Sequence, residues 1–475
     1  MQSLRRPISW PILLQTAPIV LAAMAILFVR GWLGFQFPVP WPDETGFVAP
    51  AFDFARTGSF FDPGMNPDRV VMWMPPGYMV LLAGVFRVAG YSFASARWVS
   101  TLCCLASLAI VTALAWRCTS GWARALAAWA VGLAFLSPFM LASANIARMD
   151  MLLALLILLA LACVVDGRSY TAVALVAAAG TVHFNAVYFA PPVALAFAYA
   201  AWRRTLGRPR PLDWLALAAA ALVVAAYGVH ILLNWPGFRA DMAFQLSLKT
   251  YFGTNDPAHP IWPVLAGAAL AAVALARQMR PDAAAACALF GLAFLVMAHN
   301  GHELWYDYGQ ALGFALIALA LLAPPAGGAA LVERRAAQVA AVVAACLVPV
   351  MAARMTDAIQ PLLPTRAMLT RSVVTPAQIA KVRAFIATLP PGATVNFGWN
   401  GMELFFLDDL ARAGAHWTII RHSVTEVWPL RSYDWRVRCD SSEWPAKLFA
   451  FDIDYPRQGK DTGCDIIPGQ GSKKP

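Results

Sequence analysis

Long stretches without a charged residue constrain the fold of this chain more than any other feature. A helix needs about 20 apolar residues to cross the hydrocarbon core of a membrane. Stretches close to that length, free of Asp, Glu, Lys and Arg, cover residues 7–29, 98–116, 125–147, 151–165, 169–202, 214–238, 257–276, 283–302, 308–332 and 336–353. The sequence therefore predicts an all-α polytopic membrane protein over residues 1–356.

The number of spans depends on two ambiguous segments. Residues 169–202 are too many for one helix, and His183, Asn185 and the Pro191-Pro192 pair predict a break, so we count two helices and 11 spans in total. Residues 75–90 form a short apolar segment that carries Arg87. We predict a flat interfacial helix there, because only then do the arginine-rich loops share one face, as the positive-inside rule requires. If this segment spans instead, the four-arginine loop lies outside.

Composition indicates which kind of partner the chain is expected to contact. Hydrophobic residues make up 60% of the chain and charged residues 13%, whereas a soluble protein is about half apolar and a quarter charged. The net charge of +10 is spread along the chain without forming a basic stripe, so a nucleic-acid partner is not expected. The lipid bilayer is the expected partner.

Charge asymmetry and composition predict how the chain is oriented in the membrane. With the arginine-rich loops in the cytoplasm, a first outer loop at residues 31–96, another near 234–260 and the tail at 357–475 lie outside. An alanine-rich composition is typical of a GC-rich bacterium, which predicts the inner membrane with a periplasmic active face. Location in this membrane is a compositional expectation.

The tail is predicted to be a small α/β periplasmic domain. A helical pattern at residues 376–389 is followed by the strand-like ATVNFGW, the helical MELFFLDDLARAG and the strand-like HWTIIRH. The last dozen residues are expected to be disordered. Cys439 and Cys464 lie in this tail, where an oxidising compartment permits a disulfide.

The first outer loop holds the strongest candidate for catalysis. Asp43 and Glu44 follow the first span directly. Adjacent carboxylates either bind a divalent cation or accept a proton from a hydroxyl, since one of them can have a raised pKa. The alternative interpretation is a solvated carboxylate that caps the following helix. No cofactor is predicted with certainty, and a divalent cation remains possible with these two residues as its ligands.

A second polar cluster lies at a late outer turn. MAHNGHELWYDYGQ places His302, Glu303 and Tyr306 close together at the end of a span. Contact with a substrate and metal binding are both compatible with these residue types, and an interfacial polar and aromatic rim is the alternative.

Several motifs together resemble the GT-C membrane glycosyltransferases, in the group of protein O-mannosyltransferases, lipid A aminoarabinose transferases and RgtA-type transferases of rhizobial lipopolysaccharide. These motifs are the acidic pair, an amphipathic stretch that ends in Arg-Thr-Gly, the Pro-Pro-Gly-Tyr entry to a flat helix, and Arg97 at the start of the next span. SANIARMDMLLALLILLAL, with Arg148 and Asp150 before a leucine-rich span, resembles another outer loop of that group. The resemblance covers roughly residues 10–200.

This resemblance implies transfer of a sugar from a polyprenyl-phosphate donor at the outer face, with inversion at the anomeric carbon. Asp43 occupies the position of the general base, and Glu44 orients it or helps to hold a divalent ion. The implied candidates for contact with the donor or its phosphate are Arg148, Asp150, Arg56, Arg69 and His183. The group often carries Lys where this chain has Met74 and His183, which places binding of the donor phosphate by these positions in question.

Two other classes remain open on the sequence alone. A transporter or flippase for a lipid-linked substrate predicts charged residues in mid-membrane, whereas the spans here are nearly free of charge. A non-catalytic scaffold would share the same hydropathy. The acceptor of a transferase would be an envelope lipid, a glycan such as lipopolysaccharide, or a protein.

Overall fold

The structure is a computed structural model, and it describes most of the first half of the chain and parts of the tail. The described residues are 10–33, 42–62, 64–65, 69–118, 138–202, 206–251, 376–397, 401–418, 432–439, 447–448, 451–452 and 464–469, with short pieces between 124 and 136 and residues 290 and 293. The predicted spans at 257–276, 283–302, 308–332 and 336–353 lie outside these residues or are described only at isolated positions.

The first half of the chain is helical. A π-helical turn occupies Val29–Leu33, and a 3₁₀ helix occupies Phe184–Phe189. The helices are α1 Trp10–Phe28, α2 Pro42–Thr57, α3 Gly77–Ala89, α4 Phe93–Cys118, α5 Pro138–Ser143, α6 Asp150–Val165, α7 Ser169–Gly180, α8 Ala190–Trp202, α9 Pro211–Leu233 and α10 Trp235–Tyr251.

Three of the described helical segments are long and apolar enough to cross a membrane, namely Phe93–Arg117, Phe184–Trp202 and Pro211–Leu233. A helix satisfies all its backbone hydrogen bonds internally, which a bilayer requires. The predicted break within residues 169–202 is confirmed, since α7 ends at Gly180 and the 3₁₀ helix begins at Phe184. Pro191 and Pro192 fall in the first turn of α8, where proline is tolerated.

Helix α3 is one of the shorter apolar helices of the described chain. Its 13 residues span about 20 Å at a rise of 1.5 Å per residue, against a hydrocarbon core of about 30 Å. One face is buried against α2 and α4 through Tyr78, Met79 and Leu82, while Val80 and Leu81 are exposed. The flat interfacial orientation of α3 stays a prediction.

Helices α4 and α6 pack side by side and run in the same direction. At their beginnings, the Ser100 hydroxyl donates to the Arg148 carbonyl at 3.2 Å. At their ends, the exposed side chain of Arg117 pairs with Asp166. The charged groups therefore lie at the two ends of this pair, and Cys104, Leu108 and Ile157 are buried between them.

Residues 234–260 were expected to form a loop, but the described part is mainly helical. Helix α10 occupies Trp235–Tyr251. Pro236 lies in its first turn, where a missing N–H costs no intrahelical hydrogen bond. Asp241 on α10 is 3% exposed and accepts hydrogen bonds from the Arg69 guanidinium at 2.6 Å and the Met72 N–H at 2.7 Å. These bonds fix the first outer loop against α10.

The tail contains helices and a small mixed sheet. The predicted order of elements appears as α11 Pro376–Ile386, β1 Thr394–Asn396, a 3₁₀ helix at Met402–Phe405 continuing into α12 Leu407–Ala413, and β2 His416–Thr418. The later strands are β3 Trp435–Cys439, β4 Lys447–Leu448, β5 Phe451–Asp452 and β6 Cys464–Pro468.

One sheet of the tail has the order β2-β1-β3-β6, in which β1 pairs parallel with β2 and β3, and β3 pairs antiparallel with β6. Cys464 is disulfide-bonded, and the residue opposite it in the β3–β6 register is Cys439. Cys103, Cys104 and Cys163 in the helical part are free thiols.

Gly77 offers a direct test of how α3 is seated. Its N–H donates to the Thr181 carbonyl at 2.7 Å, and a methyl group on Gly77 would lie 2.5 Å from that same oxygen. We expect Gly77→Ala to lower the free energy of unfolding by about 1–3 kcal/mol, since a backbone carbonyl cannot rotate away. Thermal unfolding of the purified protein measures this effect.

Gly84→Ala in the same helix is the matched control, because nothing lies within 4 Å of its added methyl group. Alanine should leave stability unchanged there or raise it by about 0.5–1 kcal/mol. Equal stability of the two variants would contradict the packing of α3 against the turn at Thr181.

Candidate active site

The candidate site forms where the first turn of α2 meets the start of α4 and the segment before α6. Asp43 and Glu44 are in the first turn of α2, where the helix dipole favours negative charge. Arg97 begins the second turn of α4, and Arg148 lies just before α6. The fold thus places two carboxylates against two guanidinium groups that are distant in sequence.

Glu44 and Arg97 form a fully buried ion pair. Arg97 Nε donates to Glu44 Oε1 at 2.9 Å, and Arg97 Nη2 donates to Oε2 at 2.5 Å. The Ala147 N–H also donates to Oε1, at 2.6 Å, and both charged side chains are 0% exposed. The ring of Phe93 lies 4.6 Å from the Arg97 guanidinium carbon. Glu44 therefore joins α2 to α4 and to the segment before α6.

Arg148 bridges the other two carboxylates. Its Nη1 donates to Asp43 Oδ2, and its Nε donates to Asp150 Oδ2 at 3.0 Å. The side chain of Asp43 is 23% exposed, whereas those of Arg148 and Asp150 are 6% and 5% exposed. Asp43 is therefore the accessible carboxylate of the group.

The cluster also includes Arg30, whose buried guanidinium interacts electrostatically with both Arg97 and Glu44. Three carboxylates, those of Asp43, Glu44 and Asp150, therefore lie near three guanidinium groups. An accessible carboxylate beside a buried arginine can accept a proton from a hydroxyl, and the arginine can bind an anion. This is the chemistry of a general base next to an oxyanion site.

Two other candidates from the sequence lie away from Asp43. Arg56 is exposed, stacks on the Phe52 ring at 5.3 Å, and is 13 residues further along α2, or about 20 Å at 1.5 Å per residue. Arg69 is paired with Asp241 on α10.

His183 is largely buried and caps the 3₁₀ helix, where its Nδ1 accepts from the Asn185 N–H at 2.8 Å. Its described contacts are structural. His302, Glu303 and Tyr306 lie outside the described residues.

The described residues do not fit a divalent cation held jointly by Asp43 and Glu44. Both oxygens of Glu44 accept hydrogen bonds from Arg97, and within the described part of the chain no group of three or more His, Cys, Asp or Glu side chains is placed to hold a metal ion. Glu44 is positioned as a structural partner of Arg97.

A second pair of carboxyl groups lies near the end of α2 and in the loop that follows it. Asp62 is buried, and its Oδ1 accepts from the N–H groups of Gly64 at 2.8 Å and Met65 at 3.2 Å. Burial raises the pKa of Asp53 on α2 to about 6. Burial and the charge of Asp53 raise the pKa of Asp62 well above its usual range.

These raised pKa values predict a stability that falls as the pH rises. The protonated pair stabilises the fold below about pH 4, and this contribution is lost as the pH rises through about 6 for Asp53 and higher for Asp62. Asp62→Asn keeps the acceptor oxygen for Gly64 and Met65 but cannot ionise. We expect its melting temperature to exceed that of the wild type by a few degrees at pH 8 and to match it near pH 4.

Thermal unfolding between these two pH values checks that expectation. Asp166→Asn, at the exposed pair with Arg117, is the control and should follow the wild-type pH dependence. An Asp62→Asn variant with the wild-type pH dependence would contradict the assignment.

Comparison with solved structures shows that the chain shares its fold with known proteins. The chain superposes on ArnT from Cupriavidus metallidurans bound to undecaprenyl phosphate with a TM-score of 0.52 at 15% identity, over 87% of this chain and 86% of that one. ArnT in the apo state gives 0.51 at 16% identity, over the same shares. Neither a protein-family model nor a curated protein matches the sequence significantly.

The chain therefore has the fold of the two ArnT structures, as the resemblance in the sequence implied. At 15% identity this similarity defines the fold, and the activity must be argued from the site itself.

Sequence reasoning missed several residues that shape the site. The sequence marks Arg97 only by its position at the start of a span, although it is the partner of Glu44. No sequence pattern indicates Asp241 or Glu403, which bond to Met72 and Thr45. The one signal for Arg97 was an arginine in an apolar segment, which is costly without a partner.

Proposed function

We propose that the protein is a glycosyltransferase that moves a sugar from a polyprenyl-phosphate donor to a cell-envelope acceptor, with inversion at the anomeric carbon. The observation that carries this proposal is the contact between the accessible Asp43 and the buried Arg148. It joins a proton acceptor and an anion-binding group at one end of the helices. The shared fold with an ArnT that binds undecaprenyl phosphate supports a lipid phosphate as the carrier.

In the proposed reaction, an acceptor hydroxyl attacks the anomeric carbon of the sugar. Its proton passes to the Asp43 carboxylate, and the new bond joins the acceptor oxygen to that carbon. The bond from the carbon to the phosphate oxygen breaks on the opposite face, and its electron pair leaves with the polyprenyl phosphate. Arg148 stabilises the negative charge that develops on this oxygen, and Asp150 holds the Arg148 side chain from the other side.

The same proposal includes a topology. Eleven spans form residues 1–356, the site faces the periplasm, and residues 357–475 form a soluble periplasmic domain that helps to select the acceptor. The Arg148 cluster and the Arg117–Asp166 pair lie at opposite ends of α6, which supports two polar membrane faces with an apolar segment between them. The disulfide-bonded state of Cys464 supports an oxidising compartment for the tail, and we assign Cys439 as its partner.

Transfer of label from a panel of polyprenyl-phosphate sugars to a bacterial envelope extract tests the function. The purified wild type should transfer one class of sugar, and digestion of the labelled product with protease, lipase or glycosidase should identify the acceptor class. Absence of transfer from every donor by correctly folded protein would refute the proposal and favour transport of a lipid-linked substrate.

A further inference from the structure

The tail of the chain contacts the same turn of α2 that carries Asp43. The hydroxyl of Thr45 donates to Oε1 of Glu403, which lies in the 3₁₀ helix before α12. Next to it, the Tyr91 hydroxyl donates to the Leu404 carbonyl at 2.5 Å. The rings of Phe93 and Phe405 meet edge to face at 5.1 Å. Three consecutive residues of the tail are thus bonded to or packed on the first outer loop and the start of α4.

Glu403 makes this contact in an environment that disfavours its charge. It is 0% exposed, and its Oε2 has no hydrogen-bond partner in the described part of the chain. A buried carboxylate with an unsatisfied oxygen is strongly destabilising, whereas the neutral carboxyl loses far less on burial. Burial of Glu403 is therefore least costly when the side chain carries a proton, whereas the hydrogen bond from Thr45 favours the charged form, and burial is the larger effect.

Thr45 transmits the contact to the site. It lies in the first turn of α2, beside Glu44 and two residues after Asp43. Glu44 is held by Arg97 on one side, and Thr45 is held by Glu403 on another. The orientation of Asp43 in that turn depends on both contacts, since a rigid helical turn moves as a unit.

We propose that Glu403 is a positioning residue for the proposed reaction, because through Thr45 it fixes the turn of α2 on which Asp43 lies. This inference rests on the function proposed above and extends it. The tail then controls the rate of the chemical step in addition to the choice of acceptor. A misplacement of about 1 Å at a reacting group can cost about 100-fold in rate.

The proposal predicts a pH dependence. Burial raises the pKa of Glu403 to about 7, so the stability that the protonated side chain gives to the buried tail segment is complete below about pH 4.5 and is lost as the pH rises through 7. The charged and titratable groups nearby are Tyr91, Glu44 with its partner Arg97, and Asp408 on α12. Burial raises the pKa of Tyr91 well above its usual range, so Tyr91 remains a donor throughout.

Four variants of the full-length protein test the proposal, assayed with the polyprenyl-phosphate sugar that the wild type uses, between pH 5.5 and 9. Glu403→Ala and Thr45→Val remove the bond and should lower kcat about 10-fold or more with little change in the KM for the donor. Glu403→Gln keeps an oxygen that accepts from Thr45. Its kcat at pH 6 should lie within about threefold of the wild type.

The decisive measurement is how kcat changes with pH on the alkaline side. Wild-type kcat should fall as the pH rises through about 7, and Glu403→Gln should lack that fall because its amide does not ionise. Asp465→Asn, an exposed carboxylate on β6 of the tail, is the control and should keep both the wild-type kcat and the fall. A merely structural Glu403 would lower the yield of folded protein without removing this feature of the profile.

Each other outcome overturns the proposal. Wild-type kcat in Glu403→Ala and Thr45→Val, or the same alkaline fall in Glu403→Gln, contradicts the positioning role while the proposed function stands. If the wild type itself transfers no sugar, the proposed function fails and this inference fails with it. Should Glu403→Ala not fold, Thr45→Val and Glu403→Gln still decide the question.

Discussion

Asp43→Asn is expected to lower kcat by about 10²- to 10⁴-fold, the range in which a positioned general base contributes. The amide has almost the shape of the carboxylate, but it cannot take the proton of the acceptor hydroxyl. Arg148 remains paired with Asp150 in this variant, so the neighbouring guanidinium keeps one of its two acidic partners. Single-turnover transfer of labelled sugar, measured under saturating donor, isolates the chemical step.

A matched control separates loss of the base from loss of a charge at a helix end. Asp166 caps the C-terminus of α6, whose first residue is Asp150, and its side chain pairs with Arg117. Sixteen helical residues separate these ends, or about 24 Å at 1.5 Å per residue. Asp166→Asn should keep wild-type kcat. If folded Asp43→Asn retains activity within about threefold of the wild type, Asp43 is not the base.

Binding of the donor gives a second check on the role of Asp43. A base that acts only in the transition state leaves the affinity for the donor nearly unchanged when it is replaced. Removing the negative charge beside Arg148 should even strengthen binding of a lipid phosphate, since Arg148 then has one acidic partner fewer. Weaker donor binding in Asp43→Asn would indicate that Asp43 holds the substrate instead.

Local sequence information was sufficient to predict many of the helices. Charge-free stretches became α4, α6 and α9, and the break before Phe184 followed from polar and proline residues at fixed positions. Helix α10 was missed because Pro236 and Gly237 indicate a turn, whereas its position is fixed by the contact between Asp241 and the first outer loop. Such a tertiary contact overrides a local propensity.

The site was predictable to a lesser degree, for a physical reason. Asp43 and Arg148 were proposed as parts of one site from the resemblance to a family, and their contact over 105 sequence positions follows from how the fold places α2 beside the segment before α6. The bond between Thr45 and Glu403 joins residues 358 positions apart. Nothing in the local pattern around Glu403 distinguishes it from a helical surface carboxylate, because its burial depends on how the tail is placed.

The buried pair of Glu44 and Arg97 carries the second large expected effect, this time on stability. Arg97→Leu leaves the Glu44 carboxylate buried without its partner. Glu44→Leu likewise leaves the Arg97 guanidinium buried without its partner. Removal of one partner from a buried ion pair costs about 3–5 kcal/mol. We expect either variant to lower the free energy of unfolding by that amount, measured by thermal or denaturant unfolding of the purified protein.

The exposed pair of Arg117 and Asp166 at the other end of α4 is the control for charge removal. Its two side chains are 57% and 34% exposed, and pairs of this kind contribute about 0–1 kcal/mol. Arg117→Leu should therefore have a small effect. Similar losses of stability in Arg117→Leu and Arg97→Leu would mean that burial does not determine how much the Glu44–Arg97 pair contributes to stability.

The double variant Glu44→Gln with Arg97→Met separates structure from catalysis. Neither position is charged in it, and the amide oxygen of the substituted side chain can still accept from the Ala147 N–H, which donates to Glu44 at 2.6 Å in the wild type. Stability should recover at least in part, since replacement of both partners is often neutral. If activity recovers with it, Glu44 acts only by holding α2 to α4, as its complete burial indicates. If stability recovers but kcat does not, Glu44 also influences the charge of Asp43 directly.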